Sequence, residues 1–219
     1  MIPLKDDNPT SSFPFVTIFF IAANVFVFFF QITLGPEGME LFVYKTAAIP
    51  YEITRLTDVS PRNFLAPPLT LFSAMFVHTN LIHLVGNMLY LWIFGDNIED
   101  ALGHFRFIIF YFVTGVAASL THIAVNPDST IPLIGASGAI AGVLGAYFVL
   151  FPRANVKTLV FIILFAQIVR IPAVVFLGLW FLLQILSSVA GGGIAWYAHI
   201  GGFVSGAIII LVFKRRRSG

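Results

Sequence analysis

Long apolar runs separated by short polar segments dominate the sequence. A helix rises about 1.5 Å per residue, so about 20 apolar residues cross the hydrocarbon layer of a membrane. Six runs approach or reach this length, and we number them as spans one to six: Phe13–Leu34, Asn80–Gly95, His104–Val125, Ala136–Phe151, Ile171–Ala190 and Ala195–Phe213. Span two is completed either upstream by Leu69–Val77 or downstream by Ile98–Leu102. The pattern predicts an all-α polytopic membrane protein with six transmembrane helices.

One further apolar segment, Val156–Val169, is too short for a regular span. It lies between the basic residues of Arg153–Lys157 and Arg170, which favours an interfacial or re-entrant piece. The charge balance supports this interpretation, because a seventh span would move the basic tail to the other side of the membrane. We therefore expect six spans with both termini on the same side.

Basic residues give the orientation of these spans. The side with both termini carries most of them: Lys5, Arg106, Arg153, Lys157, Arg170, Lys214, Arg215, Arg216 and Arg217. The opposite side has only Lys45, Arg55 and Arg62. Because Lys and Arg accumulate on the cytoplasmic side of membrane proteins, both termini are predicted to be cytoplasmic.

The chain is predicted to be a single membrane-embedded domain over residues 1–219. It would have a cytoplasmic N-terminal segment at 1–12, a long outer loop at 35–68 and a basic cytoplasmic tail at 214–219. The outer loop alternates apolar and polar residues over Leu41–Ile49, which is compatible with a helix on the membrane surface. Span one follows a segment with Asp6 and Asp7 and lacks a small-residue cleavage site, so we expect it to be retained.

Composition excludes several classes of function. Hydrophobic residues make up 58% of the chain and charged residues only 10%, against about 25% charged residues in soluble domains. The net charge of +2 gives no support for binding nucleic acid. The absence of cysteine excludes disulfides, thiolate catalysis and cysteine-bound metal.

Ser137 is a polar residue inside a span and a candidate for a catalytic role. It lies in Gly135-Ala-Ser-Gly138 where span four begins, and the first N–H groups of a helix are free to bind an anion. A serine there has a donor beside it for a developing oxyanion. The alternative is packing, because Gly138 and Gly142 form a small-residue stripe.

His199 lies about one turn into span six, which crosses the membrane in the same direction as span four. Ser137 and His199 are therefore predicted at similar depth near the outer face. Gly202 and Gly206 also recur every four residues, and two facing stripes of small residues would let these helices approach closely. A neutral buried imidazole can act as a general base. The alternative is a histidine bonded to a neighbouring helix.

His83 and Asn87 are four residues apart and share one face of span two in its outer half. They are candidates for donors to an oxyanion, although interhelical hydrogen bonding remains an alternative for Asn87. His78 lies just upstream and is a further candidate for the same cavity. We predict no metal and no cofactor, because no carboxylate or cysteine lies nearby in a span. His122, Gln184 and Gln31 have no partner that the sequence identifies.

The order, spacing and common depth of these motifs resemble the rhomboid family of intramembrane serine proteases. The resemblance runs from about residue 69 and includes the segment from His78 to Asn87, Gly135–Gly138, and Ala198-His199-Ile-Gly-Gly202. It implies a six-helix bundle in the lipid bilayer that cuts transmembrane helices of other proteins near the outer face, usually after a small residue.

The resemblance also implies roles for individual residues. Ser137 would be the nucleophile and His199 the general base, while His83, Asn87 and the backbone N–H of Ser137 would bind the oxyanion. The outer loop at 35–68 would insert into the membrane, and span five would be a lateral gate for substrate. Two features differ from some members: the loop has no Trp-Arg pair, and Ala141 replaces an aromatic residue that stacks on the histidine.

Two other function classes remain as alternatives. A catalytically inactive rhomboid-like membrane chaperone would share the fold, but the Ser and His are both present. A transporter or channel also contains buried polar groups, yet no acidic relay or inverted repeat is visible in the spans. Because no organelle transit segment is visible, a prokaryotic cell membrane is the expected location.

Overall fold

The computed structural model describes residues 1–58, 65–162, 165–190 and 195–217. Its helices are α1 (Phe15–Thr33), α2 (Gly35–Thr46), α3 (Pro50–Arg55), α4 (Thr70–Ser73), α5 (Leu81–Leu102), α6 (His104–Val125), α7 (Ser137–Leu150), α8 (Ala173–Ala190) and α9 (Trp196–Arg217). Single 3₁₀ turns lie at Pro67–Leu69 and Ala74–Phe76. The strands are β1 (Ile2–Asp6), β2 (Asn155–Ile162) and β3 (Phe165–Pro172).

The six predicted spans correspond to α1, α5, α6, α7, α8 and α9. Of these, α1, α6 and the Trp196–Phe213 part of α9 are each long and apolar enough to cross a membrane. Helix α5 passes the same test together with Pro67–Phe76, but the two pieces are bent by 83°. Helix α7 and the Ala173–Ser188 part of α8 are shorter apolar helices. The prediction of a polytopic helical membrane protein is confirmed.

The bend before α5 answers the question of how span two is completed. Asn80 caps α5, because its side-chain oxygen accepts a hydrogen bond of 2.8 Å from the backbone N–H of His83. Such a cap begins a helix in a new direction. Helix α5 therefore extends downstream to Leu102, and Gly103, with φ +80°, allows the turn into α6.

Helix α7 lies at the centre of the bundle. Every residue from Ala139 to Tyr147 is buried, including a small-residue face that packs on α9. Helices α5, α6 and α8 also contact α7. Because a buried charge is unfavourable, this central position explains why α7 contains no charged residue.

A three-stranded antiparallel sheet was not predicted. Strand β2 lies between β1 and β3, with Ile2 opposite Leu159 and Asn155 opposite Pro172. The segment 1–12 thus supplies a strand, and most of Val156–Val169, expected as an interfacial or re-entrant piece, forms a hairpin. Pairing with the N-terminal strand satisfies backbone groups of β2 that a short helix would have satisfied internally.

The outer loop at 35–68 contains two helices, α2 and α3. The connection between them is buried, and Ala48 exchanges two backbone hydrogen bonds with Leu133, of 3.0 and 2.9 Å. These bonds attach the loop to the segment that leads into α7. Residues 59–64 of the predicted loop and 218–219 of the predicted tail lie outside the described residues, whereas α9 continues to Arg217.

Candidate active site

The side chains of Ser137 and His199 are in hydrogen-bond contact. Ser137 is the first residue of α7, and His199 lies in the first turn of α9. The distance between Ser137 Oγ and His199 Nε2 is 2.9 Å. Because a hydroxyl can donate its proton to an unprotonated ring nitrogen, the pair has the geometry of a nucleophile and a general base.

Close packing of two helices brings these residues together. A β-carbon added to Gly206 would lie 2.0 Å from the carbonyl oxygen of Gly142, and one added to Gly145 would lie 2.0 Å from that of Phe203. Gly138 faces α6 instead, where an added β-carbon would lie 2.7 Å from Cβ of Ala118. Helices α7 and α9 therefore touch through their backbones, as small residues allow inside membranes.

The second ring nitrogen of His199 also has a partner. Its Nδ1 lies 2.7 Å from Oε1 of Gln184 on α8. The rings of Trp180 and Trp196 flank the imidazole, each with its centroid 6.0 Å away. The imidazole is therefore held at both nitrogens and bordered by two indoles, whereas Ala141 contributes no ring.

His83 and Asn87 lie against the loop that leads to Ser137. Gly135 has φ +107°, and a β-carbon added to it would lie 2.8 Å from two atoms of the His83 ring. The same β-carbon would lie 3.6 Å from Nδ2 of Asn87. Only glycine fits at position 135, for its backbone conformation as well as its surroundings.

His78 contacts this group through Asn87. Asn87 Nδ2 lies 2.9 Å from Nε2 of His78, so the amide donates and the ring nitrogen accepts. The rings of His78 and His83 are 4.9 Å apart between centroids. The three side chains therefore form one polar group beside Gly135.

Gln31 on α1 holds the backbone of His78. Its Nε2 donates to the His78 carbonyl at 3.2 Å, and its Oε1 accepts from the His78 N–H at 3.3 Å. Both residues are fully buried. This contact matters because His78 lies in the bend before α5, where helical hydrogen bonds are interrupted.

A small cavity of about 20 Å³ borders Ser137. Its walls are formed by small residues of α6, α7 and α9 and by three larger side chains outside these helices: Gly115, Ser119, Gly138, Ala139 and Ala198, then Met75, Leu133 and Ile134. A space of this size holds a group no larger than a water molecule or a methyl. Any side chain that enters it beside Ser137 must be small.

Two residues of the site had no partner that the sequence identified, Gln184 and Gln31. The available signal was their polarity within apolar spans, which marks a residue as functional or interhelical without naming its contact. The third such residue, His122, has a buried Nδ1 with no hydrogen-bond partner among the described residues. Within the described ranges, no three His, Asp or Glu side chains come together as a metal site requires.

Comparison with known proteins agrees with the resemblance seen in the motifs. The Rhomboid domain family matches residues 67–216, well over half of the 219 residues. The match begins just before the bend that precedes α5 and includes Ser137 and His199.

Individual relatives carry the same family name. The chain is 30% identical over 158 residues to Rhomboid protein 1, mitochondrial, of Saccharomyces cerevisiae, covering 67% of this chain and 42% of that protein. It is 31% identical over 134 residues to the Rhomboid protease GluP of Bacillus subtilis, covering 61% and 24%. It is 26% identical over 218 residues to the Rhomboid protease AarA of Providencia stuartii, covering 90% and 72%. The chain thus spans less than half the length of the first two relatives.

Proposed function

The chain belongs to the rhomboid family, and from this premise we propose that it is an intramembrane serine endopeptidase, a hydrolase that uses Ser137 and His199. Its substrates would be transmembrane helices of other proteins, cut near the outer face of the membrane. The observation that carries the proposal is the 2.9 Å hydrogen bond between Ser137 Oγ and His199 Nε2. Two relatives named as rhomboid proteases support the same reaction class.

The reaction would begin with attack of Ser137 Oγ on the scissile carbonyl of an unwound substrate segment. His199 Nε2 accepts the hydroxyl proton and returns it to the leaving amine. A covalent acyl-enzyme remains on Ser137. Water, deprotonated by the same histidine, then hydrolyses the acyl-enzyme and regenerates the serine.

The negative charge on the carbonyl oxygen needs donors close to Ser137. We assign this role to the backbone N–H of Ser137, which is in the first turn of α7, and to the side chains of His83 and Asn87. Asn87 has two amide protons, and only one is used in its bond to His78. His78 would therefore orient Asn87 and leave its second proton for substrate.

The small cavity beside Ser137 supports a preference for a small residue before the cleaved bond. Its volume of about 20 Å³ leaves no space for a large side chain. Helix α8 carries exposed leucines, among them Leu179, Leu182 and Leu186. We assign α8 as the lateral gate for substrate, and the outer loop at 35–68 as the membrane-inserting loop.

The proposed placement in the membrane rests on the positive-inside rule. We propose a single membrane-embedded domain over 1–219 with both termini in the cytoplasm of a prokaryotic cell. The sheet formed by β1, β2 and β3 would then lie on the cytoplasmic side, opposite Ser137. Accessibility labelling of cysteines introduced at Leu4 and Leu56, both exposed, would place them on opposite sides of the membrane.

The proposal is tested with purified protein in detergent, a fluorophosphonate probe and a model transmembrane substrate. The probe should label the wild-type chain and fail to label Ser137→Ala, and cleavage should fall by about three orders of magnitude or more in Ser137→Ala and His199→Ala. Ser205→Ala is the matched control, because the Ser205 hydroxyl donates to the Gly202 carbonyl on its own helix. Normal cleavage by Ser137→Ala would exclude the proposed nucleophile.

A wild-type chain that is folded but neither reacts with the probe nor cleaves substrate would instead support the inactive rhomboid-like alternative. The folded state is checked by a cooperative thermal transition in the same detergent.

A further inference from the structure

We infer that Gln184 is a positioning residue that holds His199 in the tautomer and orientation needed to accept the proton of Ser137. The inference rests on the proposed function and deepens it. Gln184 would act through His199 and would not touch substrate. It would take the place that an orienting carboxylate or an aromatic ring holds in other serine hydrolases.

The hydrogen bonds of His199 give one consistent tautomer. An amide oxygen can only accept, so the 2.7 Å contact between Gln184 Oε1 and His199 Nδ1 requires a proton on Nδ1. A neutral imidazole then has its lone pair on Nε2. That nitrogen is 2.9 Å from Ser137 Oγ, where a general base must be unprotonated.

The orientation of the Gln184 amide is supported by a separate contact. Its Nε2 donates to the carbonyl oxygen of Trp180, one turn earlier on α8, at 3.0 Å. With the amide nitrogen turned toward its own helix, the oxygen faces His199. The opposite amide orientation would place the amide oxygen against the Trp180 carbonyl oxygen, two acceptors with no proton between them.

Burial strengthens this contact, and the contact explains why the apolar helix α8 contains a glutamine. Gln184 is 6% exposed in a helix whose other faces are mainly apolar. A buried amide without partners is unfavourable, while a buried amide with both ends paired is rigid. Gln184 has both ends paired, one to its own helix and one to His199.

Position 141 explains why His199 needs a partner from α8. Ala141 is fully buried, and its Cβ lies 3.1 Å from where a β-carbon on Gly202 would be. No ring fits there without separating α7 from α9. The orientation of the imidazole must therefore come from another element, and Gln184 is the side chain that bonds it from α8.

The chemistry of an amide gives the inference a signed test. A neutral oxygen stabilises the imidazolium formed during attack, but less than a carboxylate would. Gln184→Glu keeps an acceptor and adds negative charge, which favours protonated His199. Gln184→Met keeps the length and volume of the side chain but removes the strong acceptor, which disfavours protonated His199. The other titratable groups acting on His199, His83 and His122, are unchanged in both variants.

The experiment measures kcat and KM for a model transmembrane substrate against pH. Gln184→Met should lower kcat about tenfold, as expected for an unpaired buried donor, with KM nearly unchanged. The acid limb of its kcat profile should move to lower pH, and that of Gln184→Glu to higher pH. The control is Gln167→Met, at an exposed glutamine of β3, which should neither lower kcat nor move the acid limb.

The outcomes separate this inference from the proposed function. If Ser137→Ala is inactive while Gln184→Met keeps the wild-type kcat and profile, the inference is overturned and the proposed function stands. If Ser137→Ala is active, the proposed function fails first. Should the buried charge of Gln184→Glu prevent folding, Gln184→Met alone still decides, because a purely structural role would lower the thermal midpoint without moving the acid limb.

Discussion

The carbonyl oxygen of Gly138 occupies the space that a side chain on Gly202 would need. A β-carbon built on Gly202 would lie 2.1 Å from that oxygen, far inside van der Waals contact. Gly138 directly follows Ser137, and Gly202 is three residues after His199. The backbone contact between α7 and α9 therefore sets the distance between the side chains of Ser137 and His199.

Gly202→Ala is expected to separate these helices and impair both folding and cleavage. Overpacking of this kind costs about 1–3 kcal/mol, which corresponds to a fall in Tm of roughly 2–12 °C for a chain of this size. A displacement of about 1 Å at the reacting atoms reduces catalysis by about a hundredfold. Thermal unfolding and substrate cleavage in detergent measure the two effects.

Gly178→Ala is the matched control for this prediction. It also adds a methyl to a glycine in a membrane helix, but its β-carbon would lie 3.9 Å from Phe148, an ordinary contact. Equal effects of the two substitutions would contradict the importance of the backbone contact.

The sequence predicted the membrane helices, because the length of an apolar run is a one-dimensional pattern. The depth of Ser137 and His199 near the outer face stays a prediction, although their side chains are in contact. The length of an apolar run gives a span, and alternation of direction gives the side on which each residue lies. The first argument needs only neighbouring residues, and the second needs only the order of the spans along the chain. They were sufficient for α1, α6 and α9, and they indicated the bundle as a whole.

The sheet and the partner of His199 could not be predicted in this way. Strand β1 depends on pairing Ile2 with Leu159, a contact between distant segments with no local signal. Gln184 meets His199 because of how α8 is rotated about its axis. Helix rotation depends on packing against several neighbours at once, and no spacing rule along one helix gives it.

Gln31→Leu is expected to destabilise the bend that carries His78. Gln31 satisfies both the N–H and the carbonyl of that residue in a fully buried place. Leucine would leave two backbone groups unpaired, each costing about 1–3 kcal/mol. We expect a lower thermal midpoint and reduced cleavage, because His78 bonds Asn87.

Gln31→Glu refines this prediction. A carboxylate still accepts from the His78 N–H but cannot donate to its carbonyl. One bond is therefore kept and one is lost, and cleavage by Gln31→Glu should lie between that of the wild type and that of Gln31→Leu. An unchanged midpoint in Gln31→Leu would show that the bend is held by other contacts.

Glu99→Gln should weaken the attachment of α1 to the end of α5. The Glu99 carboxylate is fully buried and accepts from the backbone N–H groups of Val16 and Thr17, at 2.9 and 2.8 Å, and from the Thr17 hydroxyl, at 2.7 Å. His104 Nδ1 contacts it at 2.6 Å. An amide has one acceptor oxygen, so at least one donor loses its partner.

The expected loss is about 2 kcal/mol, typical of a hydrogen bond to a buried charged group, and thermal unfolding in detergent measures it. A negative charge at the N-terminus of α1 also stabilises this helix through its favourable interaction with the helix dipole. Glu37→Gln is the control, because Glu37 lies in the first turn of α2 but is exposed. If both variants unfold at the wild-type temperature, Glu99 does not secure α1.

Asp6→Asn should change how stability depends on pH. Burial raises the pKa of Asp6 above its ordinary value of 3.8, although the hydrogen bond from Tyr147 acts to lower it. The folded chain therefore binds this proton more tightly than the unfolded chain, and the resulting stability is complete below pH 3.8 and lost as pH rises through the folded-state pKa. Asn97 and Tyr147 both donate to the same oxygen of Asp6, so an amide oxygen can keep both bonds.

Asp7→Asn gives the opposite sign and is the natural comparison. Hydrogen bonds from the Asn155 side chain and backbone lower the pKa of Asp7, so its contribution is present above pH 3.8 and is lost as pH falls through the lower folded-state value. Thermal midpoints measured from pH 4 to 8 at constant salt should rise for Asp6→Asn relative to the wild type as the pH increases. Asp7→Asn should be less stable than the wild type over the same range. A constant difference between Asp6→Asn and the wild type would mean that Asp6 keeps the same proton affinity in the folded and unfolded chains.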